Sequence, residues 1–399
     1  MNVLSLFDGM SCGQQALERA GIKVDNYFAS EIDKYAIQVT MANYPNTKQL
    51  GSVVNVNGYS LPKIDILIGG SPCQSFSFAG KRKGMSTKDE QEILTLEHYL
   101  ELKSEGFEFE GQSYLFWEYM RLLNEVKPKY FLLENVMMGE KWEKILSKAI
   151  GVKPIMINSA LVSAQNRQRL YWTNIGLQPQ GLFGDLYSII DQPKDKCILL
   201  KDILEQNIDN KYFLSDKMIS GFVRHSERHE DKGTGFGWNP TIGDKKRSCL
   251  RANGALAPTD NIIVVHNTMP RSSTTGKGGT GPLNRNDGKT YCLDTGNTNA
   301  IEIREVRQLN LSKESGGVQP YQQNRVYDSN GIMTCLDTDS GRKSIFIDSK
   351  IRRLTPIECE RLQTVKDNYT NHVSDSQRYK MIGNGWTVDV IVHILNYIK

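Results

Sequence analysis

Over its first 160 residues the chain switches repeatedly between two hydrophobic periods. Nothing else in it restricts the fold so far. Val3-Leu4-Ser5-Leu6-Phe7 reads as a buried strand, Asp8 to Gly13 as a turn, and Gln14 to Ala20 as a helix stopped at Gly21. Further strand candidates are Tyr27 to Ser30, Ile64 to Ile68, Tyr130 to Leu133 and Ile155 to Asn158. Between them, helical spacing runs through Lys34 to Met41, Tyr114 to Glu125 and Lys141 to Ile150. Strands separated by helices cannot pair as hairpins, so the expectation is a doubly wound α/β fold on a mostly parallel sheet.

That rhythm stops near Leu177. From about Gly233 to Gly341 the text is rich in Gly, Asn, Thr and Ser, with short strand-like pieces and little helical period. Helical pattern returns at Thr355-Pro356-Ile357-Glu358, and Val388 to Ile398 forms a last helix. A chain of 399 residues is long enough for two or three cores. The expected organisation is an α/β domain over 1–177, an irregular β-rich domain over 178–350, and a C-terminal segment, 351–399, that rejoins the first domain. The middle also repeats: Cys249-Leu250, Cys292-Leu293 and Cys335-Leu336 stand 43 residues apart. Each pair is followed by a short apolar piece (Ile262 to Val264, Ala300-Ile301, Ile345 to Ile347), which predicts a triplicated β unit.

Composition sets outer limits. A formal net charge of +4 permits nucleic acid as a partner without arguing for it, so that case rests on local charge. Seven cysteines, none arranged as Cys-x-x-Cys, suit a reducing cytoplasm and offer no metal set. Strand-like residues begin at Val3, which leaves no room for a leader, and no apolar run approaches the roughly 18 residues of a membrane span. The expectation is a soluble protein with no metal and no membrane partner.

Four places carry chemistry. The turn FDGMSCG, after the first strand, lets a nucleotide-like ligand approach the backbone, and Glu31, after the second strand, stands where a carboxylate accepts from ribose hydroxyls. Without a Gly-Lys-Ser/Thr phosphate loop, ATP is disfavoured; a plain turn and a surface Glu remain the alternative. Ser71-Pro72-Cys73 puts a thiol at the carboxyl end of a strand, where such sheets bind ligands, though a lone Cys is more often a small buried hydrophobe. Glu134 directly follows Phe131-Leu132-Leu133, a setting that raises a carboxyl pKa and suits proton donation; a solvent-facing Glu is the alternative. In Gln165-Asn166-Arg167-Gln168-Arg169, a strand would put Gln165, Arg167 and Arg169 on one face, and two guanidiniums there suit a phosphate or a polarised carbonyl.

Taken in order, FDGMSCG, SPCQS, LLENV, QNRQR, RRLTPIECERLQ and IGNGWTV resemble the ordered motifs of the DNA cytosine-5 methyltransferases. The resemblance covers roughly 1–177 and 351–399. FDGMSCG, YLFWEYMRLL and PIMINSALVSAQNRQRLYW look closest to the catalytic domains of the animal de novo enzymes, and the middle segment looks like the target recognition domain of bacterial and phage enzymes. It implies a Rossmann-like sheet that binds S-adenosylmethionine. By the same resemblance, Cys73 would add to C6 of a flipped-out cytosine, Glu134 would hold a proton at N3, and Arg169 would polarise O2. Arg167 would contact the backbone phosphate or the nucleophile loop. Carried over by motif position, the cofactor contacts are Phe7, Asp8, Gly9, Met10, Gly13, Glu31, Ile32, Leu115, Asn384 and Trp386. One departure stands out: Gly51-Ser52 occupies a place where the family usually has Gly-Asp, and a serine is a weaker acceptor for the adenine amino group.

The implied partner is double-stranded DNA, with no obligate protein partner evident, in the cytoplasm of a bacterium or a phage-infected host. Residues 244–289 carry eight Lys or Arg against three Asp and no Glu, among six glycines; Lys245, Lys246, Arg247 and Arg251 are the expected phosphate contacts. A solvated loop is the plainer reading of that stretch. Rival functions are an RNA cytosine-5 methyltransferase, against which stands the missing Cys-Phe-Thr signature, and a non-catalytic DNA-binding relative, against which stand the intact Pro72-Cys73, Glu134 and Arg169. A cysteine hydrolase needs a histidine at a strand end, and none of the six histidines stands in one.

Overall fold

The computed structural model describes residues 1–72, 86–87, 92–180, 185–206, 208–212, 262–267, 284–285, 299–304 and 351–398. Cys73, Lys245, Lys246, Arg247, Arg251 and the three Cys-Leu pairs lie outside the described residues. The chain divides into two compact units. The first contains Met1–Ile198 and Cys359–Lys399; the second contains Leu199–Tyr291 and Asn297–Glu358.

The first unit is built on nine strands of varying length: β1 (Asn2–Leu6), β2 (Asn26–Ser30), β3 (Lys48–Gln49), β4 (Ile66–Gly70), β5 (Ser86–Thr87), β6 (Phe109–Glu110), β7 (Tyr130–Val136), β8 (Ile155–Asn158) and β9 (Gln168–Thr173), followed by the hairpin β10 (Leu177–Gln180) and β11 (Asp185–Ser188). Helices α1 (Cys12–Arg19), α2 (Lys34–Asn43), α3 (Leu96–Ser104), α4 (Phe116–Val126) and α5 (Glu140–Ile150) alternate with them. Seven strands form one sheet in the order β3-β2-β1-β4-β7-β9-β8. The fold is therefore the expected doubly wound α/β one.

Only β9 departs from the parallel direction, running antiparallel to both β7 and β8. A parallel return needs about a dozen residues, usually a helix. The link from β8 to β9 offers one short 3-10 turn, Ser159–Leu161, held by Asn158, whose Oδ1 accepts from Ala160 N at 3.1 Å and Arg167 N at 3.1 Å. The chain can only double back.

Period-two alternation splits the sheet's side chains between two faces. On one, Leu4, Leu6, Leu67, Leu133 and Trp172 pack with Tyr99 and Leu102 of α3, Trp117, Tyr119 and Leu122 of α4, and Trp142 and Leu146 of α5. A fully buried side chain of this kind stabilises by about 1.5–3 kcal/mol, so this layer is the principal core. On the other face α1 approaches Ile68 so closely that a Cβ on Gly13 would collide with it and with the Tyr27 hydroxyl. The terminal helix Val388–Leu395 packs beside α1.

Between α3 and α4, Glu118 is fully buried and ion-paired to Lys103 and, at 2.7 Å, to Arg121, and it accepts from the Tyr99 hydroxyl at 2.5 Å. Arg121 also donates to the carbonyls of Val53 and Val56, tying α4 to the turn after β3. In the second unit, Ile262–Asn267, Asn299–Arg304, Ile351–Arg353 and Asn284–Arg285 make an antiparallel sheet. Two of the apolar pieces expected in the repeat, Ile262 to Val264 and Ala300-Ile301, lie on its two central strands.

Candidate active site

Strand order reverses between β1 and β4: from β1 the chain builds outward to β3, then crosses over to β4. The carboxyl ends of strands on either side of such a switch point diverge and leave a crevice, where open α/β sheets bind ligands. Phe7, Asp8, Gly9 and Met10 follow β1, Glu31 and Ile32 follow β2, Glu134 lies near the carboxyl end of β7, Arg169 lies near the amino end of the antiparallel β9 with Arg167 just before it, and Asn384 and Trp386 stand on the turn Gly383–Thr387.

The turn after β1 is strained. Phe7, Gly9 and Ser11 have φ of 57°, 59° and 60°. A residue with a Cβ in this region costs on the order of 1–3 kcal/mol, and such strain collects at functional sites. Asp8 is the brace. Its backbone N–H donates to Ser30 O at 3.2 Å, its carbonyl accepts from Ser11 N at 3.1 Å, and its carboxylate accepts from the Ser11 hydroxyl and, at 2.7 Å, from Tyr27. Burial pushes the Asp8 carboxyl up to about 6 despite those three hydroxyl donors, Ser5 being the third, and nearby Glu31 adds to the rise.

Glu31 closes the turn from the β2 side. Its Oε2 accepts from Gly9 N at 2.8 Å, and Oε1 accepts from Ile32 N and Asp33 N at 2.7 and 2.8 Å. Three of a carboxylate's roughly four lone-pair sites are thereby taken, leaving one for a ligand hydroxyl. Next to it Ile32 is 71% exposed, an apolar side chain at a strand end with nothing in this unit burying it. Ser52 follows Gly51, whose φ is 72° and whose carbonyl accepts from the Ser30 hydroxyl at 2.8 Å.

β4 ends in Gly69-Gly70-Ser71-Pro72. Two glycines here let large groups close in: a Cβ on Gly70 would stand 2.9 Å from Trp386 Nε1 and 3.1 Å from Glu134 Oε2. Glu134, in register with Gly70 on β7, is ion-paired to Arg169 of β9, Nε to Oε1 at 3.0 Å. Both side chains are largely covered, at 11% and 15% exposure. The next residue, Asn135, is buried and donates to Ser71 through O at 3.3 Å and Oγ at 3.0 Å. It thus holds the chain two residues before Cys73. The motifs around Ser71 and Glu134 mark those two segments in the sequence, but nothing in it shows that they bond through Asn135.

The arginine expectation needs correction. Gln165 and Arg167 are not on a strand with Arg169, because β9 begins only at Gln168. The tight β8–β9 link turns them inward instead. Arg167 is 4% exposed and donates to Gly383 O at 3.3 Å and Gly385 O at 3.0 Å, and Gln165 donates to Leu362 O and Gln363 Oε1, each at 3.2 Å. Only Arg169 faces the crevice beside Glu134.

The remaining candidates lie in the turn after β1, in α1, at the start of α4 and in the turn Gly383–Thr387. Met10 is buried, its carbonyl accepting from Tyr369 at 2.7 Å and its side chain against Gly385. Cys12 packs there too, its thiol pushed up to about 12 by burial. Gly13 lies on the α1–sheet contact. Leu115, at the start of α4, is half-buried against the core, Asn384 is exposed and Trp386 half-exposed. Among the described residues there is no cluster able to hold a metal, and no helix is long and apolar enough to cross a membrane.

The family model described as C-5 cytosine-specific DNA methylase matches residues 1–399. The chain is 27% identical to the orphan methyltransferase M.SPRI of Bacillus phage SPR, over 99% of this chain and 96% of that protein. It is 26% identical to the type II methyltransferase M.HgiCI of Herpetosiphon aurantiacus, over 97% and 94% of the two. The solved structure of the Entamoeba histolytica methyltransferase EhMeth superposes with a TM-score of 0.53 at 13% identity, covering 100% of this chain and 97% of that one, which is a likeness of fold. A strained turn after β1, a carboxylate–guanidinium pair across β7 and β9, and a match from end to end agree: this chain belongs to the C-5 cytosine-specific DNA methylase family and is a DNA cytosine-5 methyltransferase.

Proposed function

We propose that the chain transfers a methyl group from S-adenosylmethionine to C5 of a cytosine flipped out of duplex DNA, through a covalent adduct with Cys73. The observation that carries this reading is the Glu134–Arg169 pair, aligned by β7 and β9 with the Gly70-Ser71-Pro72 segment that leads into Cys73. Cytosine C5 is too weak a nucleophile to take a methyl group unaided. A thiolate adding at C6 makes C5 enamine-like, a carboxyl at N3 holds the proton that this electron shift requires, and a guanidinium at O2 stabilises the charge. Loss of the C5 proton and departure of the thiolate restore the aromatic base and the enzyme. The base must leave the stack first, because no side chain reaches C6 inside a duplex.

The crevice suits the cofactor. Glu31 retains an acceptor for a ribose hydroxyl, Ile32 offers an exposed apolar surface for a purine, and Gly9 leaves open space where a Cβ would stand in the turn after β1. Phe7, Asp8, Gly9, Met10, Leu115, Asn384 and Trp386 complete its lining, with Gly13 shaping the helix beneath it; when bound, S-adenosylmethionine supplies an electrophilic methyl group on a sulfonium. Residues 178–350 read the target, with phosphate contacts from Lys245, Lys246, Arg247 and Arg251, while 1–177 and 351–399 carry the chemistry. The bacterial and phage relatives support the cytoplasm as its place of action. The test is incubation with S-adenosylmethionine and duplex DNA carrying 5-fluorocytosine, which cannot lose fluorine as it loses a proton. A covalent complex is expected with the unaltered protein and none with Cys73→Ala; equal trapping by both refutes the assignment.

A further inference from the structure

The turn Gly383-Asn384-Gly385-Trp386-Thr387 is held by a closed set of buried polar groups, and Arg167 is the charged member. Its guanidinium donates to the carbonyls of Gly383 and Gly385. Gln363 Nε2 donates to Ile382 O at 2.9 Å and Gly385 O at 3.1 Å. Thr387 donates to Gln363 Oε1 at 2.8 Å and accepts from the Ser159 hydroxyl at 2.8 Å. Ser159, Gln165, Arg167, Gln363 and Thr387 are each 4% exposed or less. A guanidinium so covered cannot meet a phosphate, and the carbonyl dipoles of Gly383 and Gly385 offset part of the cost of burying its charge.

What the turn touches decides its role. On the β1 side it lies against the first turn: Gly385 stands against Met10 and the Cys12 thiol, and the Trp386 backbone hydrogen-bonds to that thiol. The Trp386 indole then reaches across to Gly70 at the end of β4. The turn is therefore a wall of the crevice at the strand-order reversal. A fully buried network of this kind specifies one conformation and loses it when any member is left unsatisfied.

We propose that Arg167 is a positioning residue that sets this wall, so that it governs how tightly the sulfonium cofactor is held and leaves the chemical step to Glu134 and Arg169. This rests on the function proposed above. The test uses the full chain and measures the dissociation constant of S-adenosylmethionine and the single-turnover methylation rate at saturating cofactor, for the unaltered protein, Arg167→Lys and Thr387→Val. The second variant is nearly isosteric and removes only a hydroxyl from the same network. Arg167→Lys is expected to weaken cofactor binding by roughly tenfold or more and Thr387→Val by severalfold, since each loses at least one buried hydrogen bond, with a red-shifted Trp386 emission. The saturating rate is expected to change by less than the affinity in both. Unchanged affinity, or a saturating rate that falls further than the affinity does, overturns the proposal. Failure of the unaltered protein to bind S-adenosylmethionine or methylate DNA refutes the proposed function instead.

Discussion

Asp8→Asn is expected to stabilise the protein at neutral pH and to lose part of its pH dependence. Asp8 is almost wholly buried, and burial lifts its carboxyl from an ordinary 3.8 to about 6. Because the folded pKa lies above the unfolded one, the folded state binds the proton more tightly. Its stabilising contribution is fully present below pH 3.8 and disappears as pH rises through about 6. At about 1.4 kcal/mol per pH unit the gap between the two values amounts to about 3 kcal/mol, of which about half falls between pH 5 and pH 8. An amide keeps the geometry: its oxygen accepts from Tyr27 and its nitrogen donates to the Ser11 hydroxyl, while no charge has to be buried. The assay is urea unfolding at several pH values, followed by the fluorescence of Trp117 and Trp172, both fully buried in the same unit as Asp8. The advantage of Asp8→Asn over the unaltered chain should already be about 1.6 kcal/mol at pH 5 and grow by about 1.4 kcal/mol more towards pH 8. A difference that stays constant across that window refutes the reasoning, since a pH-independent effect cannot come from ionisation of this carboxyl.

Glu134→Gln is expected to retain cofactor binding and to lower turnover by about 10² to 10⁴-fold, because an amide cannot hold a proton at N3; near-normal turnover removes Glu134 from the chemistry. Gly70→Ala places a methyl group about where Trp386 Nε1 and Glu134 Oε2 already converge, so crowding should cost about 1–3 kcal/mol and at least tenfold in turnover. Full activity in that variant means that the indole and the carboxylate do not define the pocket. Lys245→Ala should weaken binding to all duplex sequences alike and make the salt slope shallower by about one unit, read from binding titrations at several salt concentrations; a change confined to one target sequence assigns Lys245 to base reading instead.

What the amino-acid sequence determines alone is what depends on neighbours along the chain. The switch between periods of two and 3.6 specifies the elements of the α/β unit, and strands joined through helices favour a parallel sheet, so most of the strand directions followed. FDGMSCG, SPC, LLENV and QNRQR mark the strand ends that meet at the crevice, because chemistry placed there needs particular residues at fixed offsets from a strand. What remained for tertiary structure is how each polar side chain is spent. Arg167 and Arg169 stand two residues apart in one motif, yet one is buried on the carbonyls of Gly383 and Gly385 and the other is paired with Glu134. Local sequence cannot separate them, since the choice depends on a turn more than 200 residues away and on a β8–β9 link too short to continue the parallel sheet. Gly70 likewise reads as a loop glycine until Trp386 and Glu134 arrive from distant segments to occupy the space a Cβ needs. Backbone periodicity is local and survives in the text, whereas burial, charge pairing and close approach are properties of segments that meet only when the chain has folded.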